Sequence, residues 1–126
     1  MLALVLIALA QSTAPEPPAT KVADPYEECT CTADHKIVET EFVGLVQDAR
    51  LSLAPGGLSV LPRQRTVFKV ISSKDRSIKD TVEIWHETKP QDCGITFNYG
   101  KRYRVPLRRV KGGLETDYCL TPEKIN

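Results

Sequence analysis

Four cysteines constrain this chain more than any other feature. Cys29 and Cys31 sit one residue apart in Glu28-Cys29-Thr30-Cys31-Thr32, and Cys93 and Cys119 lie far downstream. The two side chains of the close pair are expected to project to opposite sides of the chain and not to bond each other. Each would then reach a different distant partner. Two long-range disulfides would tie the start of the domain to two remote places in it.

An even number of cysteines suits disulfides in an oxidising compartment. Residues 1–10, Met-Leu-Ala-Leu-Val-Leu-Ile-Ala-Leu-Ala, point the same way. The run is wholly apolar but shorter than the roughly 20 residues that span a bilayer. It ends in Ala8-Leu9-Ala10 before polar Gln11, which reads as the apolar region and cleavage site of a secretory signal. The expected location is secreted or periplasmic, with no membrane span in the mature chain. Residues 11–28 carry four prolines and few apolar side chains, so they read as a flexible leader. The folded domain is expected over 29–126. The 126 residues suffice for one domain with a modest core. The formal net charge of +1 exerts no global pull on nucleic acid, and none is expected as a partner. A monomer is expected.

From Cys29 onward the pattern is β. Val38–Val46 places Val38, Thr40, Phe42, Gly44 and Val46 on one face, and a glycine inside a strand marks a bulge or bend. Residues 47–62 are turn-rich, with Ala54-Pro55-Gly56-Gly57 as the tip. Thr66–Ile71 is a second strand rich in β-branched and aromatic residues. Ser72–Lys79 reads as a polar loop. Thr81–Thr88 puts Val82 and Ile84 on one face and Glu83, Trp85 and Glu87 on the other. Arg102–Leu107 alternates, with Tyr103, Val105 and Leu107 inward and Arg102 and Arg104 outward. Pro106 cannot donate to a ladder, so that strand should lie near an edge or end there. Leu114–Cys119 is the last short strand. No amphipathic helix of three turns is visible, only room for a short one in 72–80 or at the C-terminus. About five strands at even spacing predict a small barrel or sandwich.

The residues also carry a family resemblance. Cys29-Thr30-Cys31 is followed by Phe42-Val43-Gly44, Val67-Phe68-Lys69-Val70, the block Cys93-Gly94…Phe97…Gly100-Lys101-Arg102-Tyr103, and Gly112-Gly113-Leu114…Thr116…Cys119. In this order the pieces resemble the N-terminal domain of the tissue inhibitors of metalloproteinases, within the wider netrin-like group, over roughly residues 29–120. The resemblance implies a five-stranded OB-type Greek-key β-barrel with short helical segments and the disulfides Cys29–Cys93 and Cys31–Cys119. The third disulfide of the animal inhibitors' N-terminal domain has no counterpart cysteines here, and their second domain has no counterpart either. The resemblance further implies a zinc metalloproteinase as partner. The free α-amino group and carbonyl of Cys29 would chelate the enzyme's zinc, and the Thr30 side chain would enter its specificity pocket. A chain cleaved after Ala10 keeps residues 11–28 and has no free amine at Cys29. On that reading Cys29, Thr30 and Cys31 are purely structural.

Two further patterns compete for function. Lys101, Arg102, Arg104, Arg108, Arg109 and Lys111 form a basic run with no acid among them, flanked by Tyr99 and Tyr103. OB-type barrels use basic grooves with stacking aromatics, so a general protein- or polyanion-binding surface is the alternative, and a solvated strand face the plain one. Reduced Cys29 and Cys31 with His35 would suit copper or zinc, but an exported chain favours disulfides, so no metal or other cofactor is expected. No Gly-x-Ser-x-Gly, His-Glu-x-x-His or phosphate-cradling loop is present, and the chain reads as a non-enzyme.

Overall fold

A computed structural model describes residues 24–126 of the protein. The apolar segment 1–10 and residues 11–23 of the leader lie outside the described residues. The fold is mainly β. Its strands are β1 (Thr40–Arg50), β2 (Arg63–Ser73), β3 (Thr81–Glu87), β4 (Arg102–Val110), β5 (Gly113–Glu115) and β6 (Glu123–Ile125). Single 3-10 turns lie at Asp34–Lys36, Pro90–Asp92 and Tyr118–Leu120.

The sheet has six strands, not the five expected, in the order β1-β2-β3-β5-β4-β6, and β1 also pairs with β4. The pairings therefore run round from β1 through β2, β3, β5 and β4 and back to β1, with β6 added on the far side of β4. All pairings are antiparallel except β3 with β5. The expected last strand over 114–119 is shorter: β5 stops at Glu115 and a 3-10 turn carries Cys119. The Asp117 carboxylate starts that turn by accepting from the amides of Cys119 and Leu120.

Alternation decides which side chains meet. Phe42, Gly44 and Val46 of β1 face inward, with Thr66 and Phe68 of β2, Ile84 and His86 of β3, and Tyr103, Val105 and Leu107 of β4. The β1–β2 register shifts between Val43 and Gly44, as a glycine in a strand foretold. The Phe42 ring lies over Gly44, where a Cβ would come within 2.6 Å of Phe42 Cε2. The centre is an aromatic chain of edge-to-face contacts. Phe68 meets Phe42 and Phe97 at centroid distances of 5.3 and 5.0 Å, and Phe97 meets Tyr103 and His86 at 4.9 and 5.2 Å.

Of two local expectations, the one at Pro106 is met by the outer side of β4 being unpaired there, and the one for the polar loop changes in detail. The strand through Pro106 does not end there but continues to Val110. Its outer partner is β6 up to Arg104 and β5 from Arg108, and Pro106 falls in the interval between them. The Pro106 carbonyl there accepts from the buried Thr116 hydroxyl at 2.7 Å. The loop 74–80 is not wholly polar, because Ile78 is buried in the core. Asp75 pins this loop. Its carboxylate accepts from the Ser77 hydroxyl (2.6 Å) and amide (2.9 Å), the Thr40 hydroxyl (3.0 Å) and the Arg109 guanidinium. Those donors, Ser77 first, hold its carboxyl well below the usual carboxylate range.

Candidate functional site: the cysteine-locked edge and its neighbours

The chain approaches the site through a turn. Pro25–Glu28 folds back so that the Cys29 amide donates to the Tyr26 carbonyl at 2.9 Å. The Tyr26 ring stacks on Tyr118, with centroids 3.8 Å apart and planes 9° apart. Burial in that stack pushes the Tyr26 phenol up.

The disulfides are Cys29–Cys93 and Cys31–Cys119, the pairing the resemblance implied. They clamp the segment 29–31 against the end of the sheet where β3 and β5 stop. Thr30 is exposed between two half-buried cysteines. The expectation that Cys29 and Cys31 face opposite sides is overturned, since their sulfurs lie 4.0 Å apart. In non-helical, alternating backbone it is neighbours that face apart, while residues two apart share a face. The separate partners come instead from Cys93 and Cys119 arriving side by side, with the Tyr118 amide donating to the Cys93 carbonyl at 2.9 Å.

Beside this edge runs a cleft of about 370 Å³ lined by Cys31, Lys36, Ile95, Tyr118, Cys119 and Pro122. At the same end of the sheet the β1–β2 hairpin projects. Its base is set by Arg63 opposite Glu87 and by the Thr88 hydroxyl donating to the Pro62 carbonyl at 2.7 Å. Residues 51–62 of this hairpin carry no charge. Leu51, Leu53, Leu58, Val60 and Leu61 are all exposed, Leu58 by 97 %. Backbone bonds Ala54–Ser59 and Leu61–Ser52 hold the hairpin together. Gly56 and Gly57 turn it at φ of +91° and +73°, which side chains other than glycine rarely adopt. Composition alone reads this stretch as a loop; its apolar residues, counted separately, were the available signal of an exposed patch.

The basic run divides in two. Arg104 pairs with Glu123 at 2.6 Å and Arg109 pairs with Asp75. Arg108 is largely buried, pairs with Asp117 and Glu115, and donates to the His35 carbonyl. Lys101, Arg102 and Lys111 are exposed and have no ion pair among the described residues. Tyr99 is exposed, but Tyr103 is a core residue whose hydroxyl accepts from the Asn98 amide at 2.9 Å. The run thus offers neither a continuous positive surface nor a pair of stacking aromatics.

His86, which reads as an ordinary strand residue, is buried. It continues the inward face of Val82 and Ile84, and its Nε2 lies 2.6 Å from the Thr66 hydroxyl. Burial pushes its pKa below the ordinary histidine value. On the opposite face, Trp85 packs under the guanidinium groups of Arg63 and Arg65 at 5.3 and 4.8 Å. Glu83, Glu87 and Glu115 neutralise those arginines. No described helix is long and apolar enough to cross a membrane. The sequence matches no protein-family model, no curated protein and no solved structure.

Proposed function

We propose that the chain is an exported OB-type binding domain. On this reading it docks the Cys29-Thr30-Cys31 edge into a protein partner, of which a zinc metalloproteinase is the best specified. The circuit of strand pairings with its one parallel step, β3 to β5, supports the OB-type reading. The observation that carries the proposal is Thr30 held outward between two disulfide-locked cysteines. An edge fixed in advance loses little entropy on docking. Zinc chelation by Cys29 requires a free, unprotonated amine. In the longer chain that nitrogen is an amide engaged by Tyr26. Inhibition is therefore expected from a chain beginning at Cys29 and not from one that keeps residues 11–28. Both forms should be assayed on a panel of zinc endopeptidases, and acetylation of the Cys29 amine should abolish the effect. Equal inhibition by both forms would reject the chelation mechanism, and no inhibition by either would reject the metalloproteinase as partner.

A second reading is general protein or polyanion binding. The exposed apolar hairpin favours its protein arm, and the ion pairs of Arg104, Arg108 and Arg109 weaken its polyanion arm. Heparin binding that falls steeply with salt, and with Lys101→Ala plus Arg102→Ala, would favour the polyanion arm. Partner capture lost on Leu53→Ser plus Leu58→Ser would favour the protein arm.

A further inference from the structure

Beyond any docking role, we propose that the four cysteines form a zinc site in the thiol form of the chain, which oxidation to the two disulfides abolishes. All four sulfurs lie within 4.8 Å of one another, a cluster drawn from three separate parts of the sequence. Across the two disulfides the contacts are Cys93–Cys119 at 3.8 Å, Cys29–Cys119 at 3.9 Å and Cys29–Cys31 at 4.0 Å. A zinc ion with four thiolates at about 2.3 Å has a sulfur–sulfur edge of about 3.8 Å in tetrahedral geometry. Three of the six edges therefore already have the required length. The two bonded pairs must open, which breaking the disulfides allows by side-chain rotation, and the sixth edge, Cys31–Cys93, lies within the 4.8 Å bound of the cluster.

The surroundings suit a thiolate cluster. Cys119 is buried and the other three are half-buried. Lys36 lies in the adjoining cleft with Cys31 and Cys119, placing a cation near a centre of net charge −2. His35, the other ligand type in this stretch, is not a member of the cluster.

The chemistry balances without an added reactant in a newly made chain, whose cysteines are thiols. One Zn²⁺ displaces four thiol protons and forms four Zn–S bonds. Two equivalents of a small-molecule disulfide oxidant undo this. They take up four electrons and four protons and become four thiols, while the four cysteines form two S–S bonds and release the ion. In the reverse direction a phosphine reductant supplies the electrons. Each of two phosphines becomes its oxide with the oxygen of one water, and the waters' hydrogens become the four thiol protons.

The test uses the full chain, reduced with a phosphine without oxygen and titrated with Co²⁺ and then Zn²⁺. One equivalent of Co²⁺ should give thiolate-to-cobalt charge transfer and the intense d–d bands of a tetrahedral site. Zn²⁺ should displace it. The zinc-loaded reduced chain should show the β-sheet circular dichroism and the Trp85 emission of the oxidised chain. The oxidised chain should bind neither ion. Cys31→Ser with Cys119→Ser should weaken zinc binding by more than about 100-fold, since loss of even an outer hydrogen-bond partner costs 10–100-fold. His35→Ala should leave it unchanged. The proposal fails if the reduced chain gives no charge-transfer band or if the double variant retains the affinity. It fails equally if metal binds while the chain stays unfolded, which would mark ligation by loose thiols and not by the folded cluster.

Discussion

Gly94 offers a sharp test of the packing at the disulfide end. It is buried directly after Cys93, and its amide donates to the Lys89 carbonyl at 2.8 Å. A Cβ at this position would lie 2.4 Å from Lys89 N, 2.5 Å from the Thr88 carbonyl carbon and 2.6 Å from Lys89 O. Comfortable contact between heavy atoms begins near about 3.5 Å, so the backbone would have to part by about 1 Å. It has little freedom to do so. Cys93 is bonded to Cys29, and the Ile95 amide donates to Glu87 O at 2.9 Å. Overpacking typically costs about 1–3 kcal/mol, and losing the Gly94–Lys89 bond adds about 1 kcal/mol. Gly94→Ala should therefore destabilise the oxidised chain by about 2–4 kcal/mol, a large part of a native stability of about 5–15 kcal/mol. The measurement is urea unfolding followed by Trp85 emission. Gly100→Ala is the control, because Gly100 has φ of +74° but open space around its Cβ. It should cost only the left-handed backbone strain, about 1–2 kcal/mol. If Gly94→Ala proves no worse than Gly100→Ala, the close backbone approach is wrong.

Other expectations follow from burial, topology and charge. Phe68→Ala removes a fully buried ring between Phe42 and Phe97 and should cost about 3–5 kcal/mol in the same assay. Cys31→Ser with Cys119→Ser opens a loop of 88 residues and should cost the oxidised chain about 4 kcal/mol, checked by the shift in urea midpoint. His86 has a lowered pKa in the fold because burial opposes its charge, whereas the unfolded chain takes up the proton near the ordinary 6.5. The stability it contributes is therefore complete above pH 6.5 and is lost as pH falls from there towards the folded value. Unfolding measured between pH 7.5 and 5 should show this loss, and His86→Gln, which keeps a partner for Thr66, should flatten it.

Strand positions were legible because alternation is a local property. Tyr103, Val105 and Leu107 are buried and Arg102 and Arg104 exposed, as the period of two requires. The bend at Gly44 was legible for the same reason. β6 was not, because Glu123-Lys124-Ile125 has no apolar alternation and forms only by pairing with β4. His86 escaped because a polar residue on an inward face looks like the end of the pattern, and its partner Thr66 comes from another strand. The six basic residues looked alike in sequence, yet only Arg104, Arg108 and Arg109 have carboxylate partners among the described residues, and those lie on β5, on β6, in the turn before Cys119 and in the loop of Asp75. At the candidate site, the choice of partner for each cysteine came from the resemblance. The convergence of four sulfurs depends on how β3 and β5 end together, and spacing along the chain does not encode it.

The crowding of those sulfurs also bears on how the protein is made. Cys93 emerges from synthesis 26 residues before Cys119. At about 5–20 residues per second the interval is about 1–5 s. During it, Cys93 meets both Cys29 and Cys31 with no fourth thiol to settle the choice. If Cys31 is taken first, the late-arriving Cys119 finds Cys29, whose sulfur stands 3.9 Å from its own even in the native pairing. The crossed isomer is thus a close neighbour of the native one, separated by exchange among adjacent sulfurs and not by refolding of the sheet. The native fraction is then set by how long thiol–disulfide exchange stays open before the last thiol is consumed. A host with an active disulfide isomerase should accumulate the native isomer, whereas rapid air oxidation should trap both.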